Sequence, residues 1–221
     1  MKHKTAKKLM EKVLETYEDI ASEFSKTRNK AWPEFEKFKD YVEDHFKILD
    51  LGCGNGRLFE YLGEIEYIGV DISEKLLKEA KKRFPKGKFI KGDQLKIPAK
   101  DEEFDIVFNI AAFHHIPSRK LRRKALDEMH RVLKKDGILI LTVWNLFQKK
   151  YIKHIARSIV KSIFTLGKYD WNDTIIPWGK EKKDRYYHAF TERELRGLLK
   201  SKFEVHELDI GNNIFVVCKK K

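Results

Sequence analysis

In the first part of the chain, apolar residues recur every three or four positions, at Leu9, Val13, Leu14, Tyr17, Ile20, Ala21 and Phe24. Residues 5–46 therefore read as helical. Trp32-Pro33 marks a break inside that stretch and the start of a new helix, since proline suits a first helical turn. From residue 47 the pattern switches to short β-rich runs separated by helical windows. Five runs, 47–51, 67–71, 88–91, 104–109 and 137–143, read as strands. Between the second and third, Leu76, Leu77, Ala80 and Phe84 share one face behind Ser73 as N-cap. Before the fifth, Leu121, Ala125, Met129, Val132 and Leu133 do the same and are closed by Asp136-Gly137. Two last runs, 203–208 and 214–218, flank Gly211-Asn212-Asn213 as a hairpin.

Alternating β and α elements imply an α/β, doubly wound, Rossmann-like sheet of seven strands, mostly parallel, ending in an antiparallel hairpin. A single domain is expected. It would comprise N-terminal helices over 1–46, a core over 47–144, an inserted cap over 145–190, and a final helix and hairpin over 191–221. The cap interval is the least regular, with Trp144, Phe147, Tyr151, Trp171, Trp178, Tyr186 and Tyr187 set among many Lys and Arg.

Composition narrows the class. At 221 residues and 42% hydrophobic, the chain can bury one sizeable core, and no apolar run is long enough to span a bilayer. Met1-Lys2-His3-Lys4 leads into a charged amphipathic stretch, not a signal-peptide core, so a cytoplasmic location is expected. Cys53 and Cys218 have neither metal-site nor disulfide spacing and read as reduced structural thiols. A net charge of +13 favours polyanionic partners, although lysine-rich genomes and hot habitats produce the same excess.

The chemistry begins at Asp50-Leu51-Gly52-Cys53-Gly54-Asn55-Gly56, a strand end running into a glycine turn. Glycine permits positive φ and close backbone approach to a ligand, so the turn suits a nucleoside cofactor. Nicotinamide enzymes use a related turn around a pyrophosphate, but Asp50, an acid ahead of Gly52, suits the ammonium of a methionyl group better than a diphosphate. Asp71 ends the second strand 21 positions later, where a carboxylate can accept both ribose hydroxyls, with Ile72 beside it. Asp93 ends the third strand and suits an adenine amino group, with Gln94 adjacent. Asn109 closes the fourth. Arg28 and Trp32 offer a charge and a π face to a methionyl carboxylate and sulfonium, while Trp32 suits a place in the core equally well. The cofactor set is thus Arg28, Trp32, Asp50, Gly52, Gly54, Asn55, Asp71, Ile72, Asp93, Gln94 and Asn109, with S-adenosylmethionine as ligand and no metal.

The string Ile48 to Gly56, the Gly69-Val70-Asp71 strand end and Phe104-Asp105 resemble the class I S-adenosylmethionine-dependent methyltransferases. Further segments resemble a narrower family, the tRNA wobble-uridine methyltransferases that esterify 5-carboxymethyluridine. They are Tyr17 to Arg28 with Ala31-Trp32-Pro33, His114-His115-Ile116 with Arg122-Arg123-Lys124-Ala125, Val143 to Gln148, and Arg185 to Phe190. The likeness departs at Phe147, where that family would carry an acid, and in the short 151–184 region. It implies an anticodon stem-loop substrate and a small zinc-binding activator as partner. His114, His115, Arg122, Arg123, Arg185, Tyr187 and His188 would position the uridine and its phosphates. Two other functions fit the same fold: methylation of a small metabolite, and a non-catalytic cofactor-binding subunit of an RNA-modifying complex.

Overall fold

The computed structural model describes residues 1–28, 32–62, 65–165, 169–179 and 181–221. In chain order the elements are α1 (His3–Thr27), a 3₁₀ helix (Pro33–Tyr41), β1 (Lys47–Leu51), α2 (Arg57–Leu62), β2 (Glu66–Asp71), α3 (Glu74–Arg83), β3 (Lys88–Lys91), β4 (Phe104–Ile110), α4 (Arg119–Val132), β5 (Leu133–Trp144), α5 (Ile152–Phe164), β6 (Asp173–Trp178), β7 (Lys183–His188), α6 (Glu192–Leu199), β8 (Phe203–Ile210) and β9 (Asn213–Lys220). Two single-turn 3₁₀ helices, Phe113–His115 and Lys149–Tyr151, complete the set.

Seven strands form one sheet in the order β3-β2-β1-β4-β5-β9-β8. The first five run parallel, and β9 enters antiparallel to β5 and β8. Successive side chains of β1 go to opposite faces. Leu49 joins a core made with α4 and α6, including Ala125, Met129 and Leu198, while Ile48 joins another with Phe38, Leu58, Leu77 and Ala80. Burial on both faces explains why these strands read as apolar runs without alternation. Strand order reverses between β1 and β4, and the crevice at that reversal, beyond the strands' C-terminal ends, is where an open α/β sheet takes its ligand.

Three expectations change. The helical reading of 5–46 holds for α1 only as far as Thr27, and the piece after Trp32 is 3₁₀, with Phe35 and Phe38 three apart and both buried. Residues 42–46 are not helical, and Ala31 lies outside the described residues. The 145–190 segment, expected as a cap, is more regular than its sequence. It holds α5 and a two-stranded antiparallel sheet, β6 with β7, over a small core of Leu146, Ile155, Ile176, Tyr187 and Ala189. Among the described residues no helix is long and apolar enough to cross a membrane.

Candidate active site

The glycine turn is fixed by backbone bonds to the neighbouring strand. The Gly52 and Cys53 amides donate to the Val70 carbonyl at 2.7 and 3.1 Å, and Gly52 sits at φ +86°. Asp71 is held by two amides, Gly54 on one oxygen at 2.8 Å and Ser73 on the other at 2.9 Å. A carboxylate accepts at about four lone-pair sites, so two remain for a ligand. Asp50 is buried and accepts from the Tyr67 hydroxyl at 2.6 Å. Burial outweighs that bond and pushes its carboxyl up to about 7. Asn55 donates to the Arg28 carbonyl at 3.1 Å and to Ser25 Oγ at 3.3 Å, tying the turn to the end of α1.

Arg28, Trp32, Asp50, Gly52, Gly54, Asn55, Asp71, Ile72, Asp93 and Gln94 all line one cavity at the strand ends. Asp93 also caps its own turn, accepting from Leu95 N at 2.8 Å. Asn109 is different. It lies fully buried behind the wall, donating to the Leu51 carbonyl at 3.0 Å and to Gln94 Oε1 at 2.7 Å. It does not line the cavity, and its two bonds brace Gln94 against the end of β1. Arg57 escaped the sequence reading. It lines the cavity with its guanidinium 4.3 Å from the Trp32 ring centre, and burial lowers it to about 10. Its position one residue after the glycine turn was the available signal. Met10, Val13, Leu14 and Tyr17 of α1 also line the cavity, although their periodicity reads only as a core-facing stripe.

The same cavity is also lined by His114 and His115, by Trp144, and by Arg185 and Tyr187 of β7. Because side chains alternate along a strand, β7 divides the segment Arg185 to His188 between two faces. Arg185 and Tyr187 face the cavity, while Tyr186 and His188 reach Asp173 at 2.6 and 2.8 Å on the other side. His188 also meets Glu194 at 2.9 Å. Arg122 belongs to the same buried network, bonded to the Ile116 carbonyl at 3.2 Å and paired with Asp170 at 3.3 Å and Glu194 at 3.5 Å. Arg122 and His188 are therefore committed to holding the 145–190 segment and do not line the cavity. Arg123 is exposed on α4.

Within the cavity wall, Tyr17 Oη meets His115 Nε2 at 2.7 Å, and His115 Nδ1 meets the Tyr186 carbonyl at 2.7 Å. A carbonyl only accepts, so Nδ1 carries the proton and the tyrosine hydroxyl donates to Nε2. Burial lowers His115 to about 3 and lowers His114 as well, so both rings are neutral. His114 Nδ1 accepts from the Trp144 amide at 3.1 Å, which leaves Nε2–H as its donor. Arg185 brings the guanidinium charge to this wall. Its guanidinium lies 5.5, 5.4 and 5.2 Å from the ring centres of Trp144, Trp178 and Tyr187. Arg185 Nε and Tyr187 Oη are buried without a hydrogen-bond partner.

A methyltransferase domain model matches residues 49–141. A protein of Encephalitozoon cuniculi whose name calls it a methyltransferase is 33% identical over 92% of this chain and 93% of its own length. The chain belongs to the class I S-adenosylmethionine-dependent methyltransferases. It is also 31% identical to the tRNA (carboxymethyluridine(34)-5-O)-methyltransferase of Schizosaccharomyces pombe, over 85% of this chain and 75% of that one. The match to human Probable tRNA methyltransferase 9B, 29% identical over 81% of this chain, spans only 36% of that longer protein. Among solved structures, an S-adenosylmethionine-dependent methyltransferase of Methanosarcina mazei shares the fold, with TM-score 0.72 and 23% identity over 86% of this chain and 98% of that one. So does the methyltransferase crystallised with the Trm112 activator of Haloferax volcanii, with TM-score 0.65 and 16% identity over 94% and 97%. S-adenosylmethionine is the cofactor of this methyltransferase. The donor set fits it: Asp50 and Asp71 are acids turned to the cavity with no ion-pair partner among the described residues, as a ligand with an ammonium and a ribose diol requires.

Proposed function

We propose that this methyltransferase esterifies the carboxylate of 5-carboxymethyluridine at the wobble position of tRNA, gripping the anticodon stem-loop. The reading is carried by Arg185, a buried cation in the cavity wall with no carboxylate partner among the described residues. A buried charge is costly unless paired, so an anionic ligand group completes this site in a way a neutral one does not. The name of the fission-yeast relative supports the same acceptor.

In this reading Asp50 holds the methionyl ammonium, Asp71 the ribose hydroxyls, and Asp93 with Gln94 the adenine, while Arg28 and Trp32 close over the methionyl end. When bound, the cofactor would supply an electrophilic methyl for a carboxylate oxygen, a C–O bond replacing the S–C bond, whose electron pair would stay on sulfur. A carboxylate with pKa near ~4 is ionised at neutral pH, so no general base is needed. Arg185 and the Tyr187 hydroxyl hold that carboxylate. His114 and His115, neutral through burial, leave Arg185 as the main cation in this part of the wall, with Tyr17 keeping His115 in its Nδ1–H tautomer. Met10, Val13 and Leu14 exclude water from the aligned pair. A small zinc-binding activator completes the assembly.

Incubation with labelled cofactor and tRNA carrying or lacking 5-carboxymethyluridine, with and without an activator, tests this. Label should enter only the modified tRNA, as an alkali-labile ester. Transfer to extracted small molecules and not to RNA overturns the reading, as does cofactor binding with no acceptor methylated in either condition.

A further inference from the structure

On the other face of β7 from the acceptor cavity lies a second cleft, between the first half of α1 and the α5–β6 edge. Lys4, Lys8 and Lys12 line it at four-residue spacing and so form one row along the helix. Lys12 is held by Asp184 at 3.3 Å. Lys4 and Lys8 are exposed and have no carboxylate partner among the described residues. The remaining acid of the cleft, Asp173, is already engaged by the Tyr186 hydroxyl at 2.6 Å and His188 at 2.8 Å. What the cleft offers a ligand is therefore two uncompensated ammonium groups and no free acid. The facing helix strengthens that sign, since α5 carries Lys153 and Arg157 and no acidic residue at all.

The two clefts are neighbours. Asp184 and Arg185, consecutive on β7, face one each, and Lys12 precedes the cavity-lining Tyr17 by five helical residues, about 8 Å of rise. We infer that the Lys4–Lys8 cleft takes the sugar–phosphate backbone of the RNA whose base enters the acceptor cavity. The inference rests on the tRNA reading. Lysines in a row on a rigid helix bind phosphates as point charges without reading sequence, which suits a tether beside a site that selects by the modified base.

The test is a salt series of tRNA binding to the full chain and to a K4E/K8E variant, beside a K81E/K82E control that reverses two exposed lysines of α3. K4E/K8E should bind tRNA about tenfold more weakly near 0.1 M salt, with the slope of log affinity against log salt shallower by about 1.5, as expected for two lost phosphate contacts. KM for tRNA should rise while kcat changes less than about twofold, and K81E/K82E should stay within about twofold of wild type. Cofactor titration of each variant reports that it is folded. If the wild-type chain binds and methylates tRNA but K4E/K8E matches the control, the cleft assignment falls and the tRNA reading stands. Should the wild-type chain bind no tRNA with or without an activator, both fall.

Discussion

Arg185 and Tyr187 stand two positions apart on β7 and line the same cavity, with the guanidinium 5.2 Å from the tyrosine ring centre and with Arg185 Nε and Tyr187 Oη buried without a hydrogen-bond partner. The Trp144 and Trp178 ring centres lie 5.5 and 5.4 Å from that guanidinium and help to fix its place before any ligand arrives. Replacing Arg185 with Gln should lower kcat/KM for the modified tRNA about 10- to 100-fold, the worth of one charge-assisted hydrogen bond at about 1.5–3 kcal/mol. Cofactor affinity should hold. Arg185→Lys should recover little, because an ammonium lacks the planar fork that meets a carboxylate with two parallel hydrogen bonds. Steady-state kinetics beside cofactor titration separates the two sites, and full activity in the glutamine variant would remove Arg185 from the acceptor site.

Arg122 should behave as a structural residue. Its guanidinium is 1% exposed and joins Ile116 to Asp170 and Glu194, which keep about a quarter of their exposure, 27% and 25%. Breaking a fully buried pair costs about 3–5 kcal/mol. Partial solvation of the acids brings Arg122→Ala to about 2 kcal/mol, or a melting temperature lower by about 4–8 °C for a chain of this size. KM for tRNA should not change below that transition. Thermal melts and kinetics on one preparation check this, and a rise in KM without a stability loss would return Arg122 to the acceptor site.

The same network sets an acid limit. Burial alone would raise the Glu194 carboxyl, but the bond from His188, with Arg122 and Asn172 nearby, outweighs it and holds the group below its ordinary 4.5. A carboxyl lowered in the folded chain contributes stability above its unfolded value and loses it as pH falls through the folded one. Melting temperature should therefore drop as pH falls below about 4.5, and the drop should shrink in Glu194→Gln. Equal acid sensitivity in the variant would place the limit elsewhere.

The glycine turn was legible because its demands are local. Gly52 is held at φ +86°, and an added Cβ would stand 2.4 Å from the Ala112 Cβ. Asp71 was legible as a strand end because burial on both faces of β2 writes a continuous apolar run, whereas β3 is short and partly exposed and ends at Lys91, which leaves Asp93 two residues beyond the strand it was expected to close. β7 was not, since Lys183-Asp184-Arg185-Tyr186-Tyr187-His188 carries charge or a polar tip at every position. Only tertiary partners show which of its side chains are core and which line the site: Asp173 and Glu194 claim His188, while the cavity claims Tyr187. Arg122 was expected at the uridine and its phosphates for the same reason, since the acids that claim it lie 48 and 72 residues away in sequence.

Gly52 and Gly54 also make a matched pair for experiment. Both have positive φ, but an added Cβ on Gly54 would meet only Phe24, at 3.8 Å. Gly54→Ala should cost only the left-handed backbone penalty, about 1–2 kcal/mol. Gly52→Ala should add the clash with Ala112, lose cofactor binding, and melt lower than Gly54→Ala. Calorimetry of the two variants decides it, and equal stability would mean that the Ala112 wall yields.

Asp50 should carry the pH dependence of cofactor binding. Its carboxyl rises from an ordinary 3.8 to about 7 because it is buried, with a tyrosine hydroxyl as its hydrogen-bond donor. The sign for the cofactor-free chain follows: a carboxyl raised on folding supports stability at low pH, and that support is lost as pH climbs from about 4 to about 7. An ammonium bound beside it favours the ionised form, so cofactor binding should draw a proton out of the protein near neutrality. Affinity should then strengthen by up to about tenfold per pH unit below about 7 and level off above it. Titration calorimetry in two buffers of different ionisation enthalpy at pH 6.5 reads the proton directly, and Asp50→Asn should abolish the release while weakening affinity. A wild-type chain that releases no proton at that pH would mean that the cofactor's ammonium is held by another group.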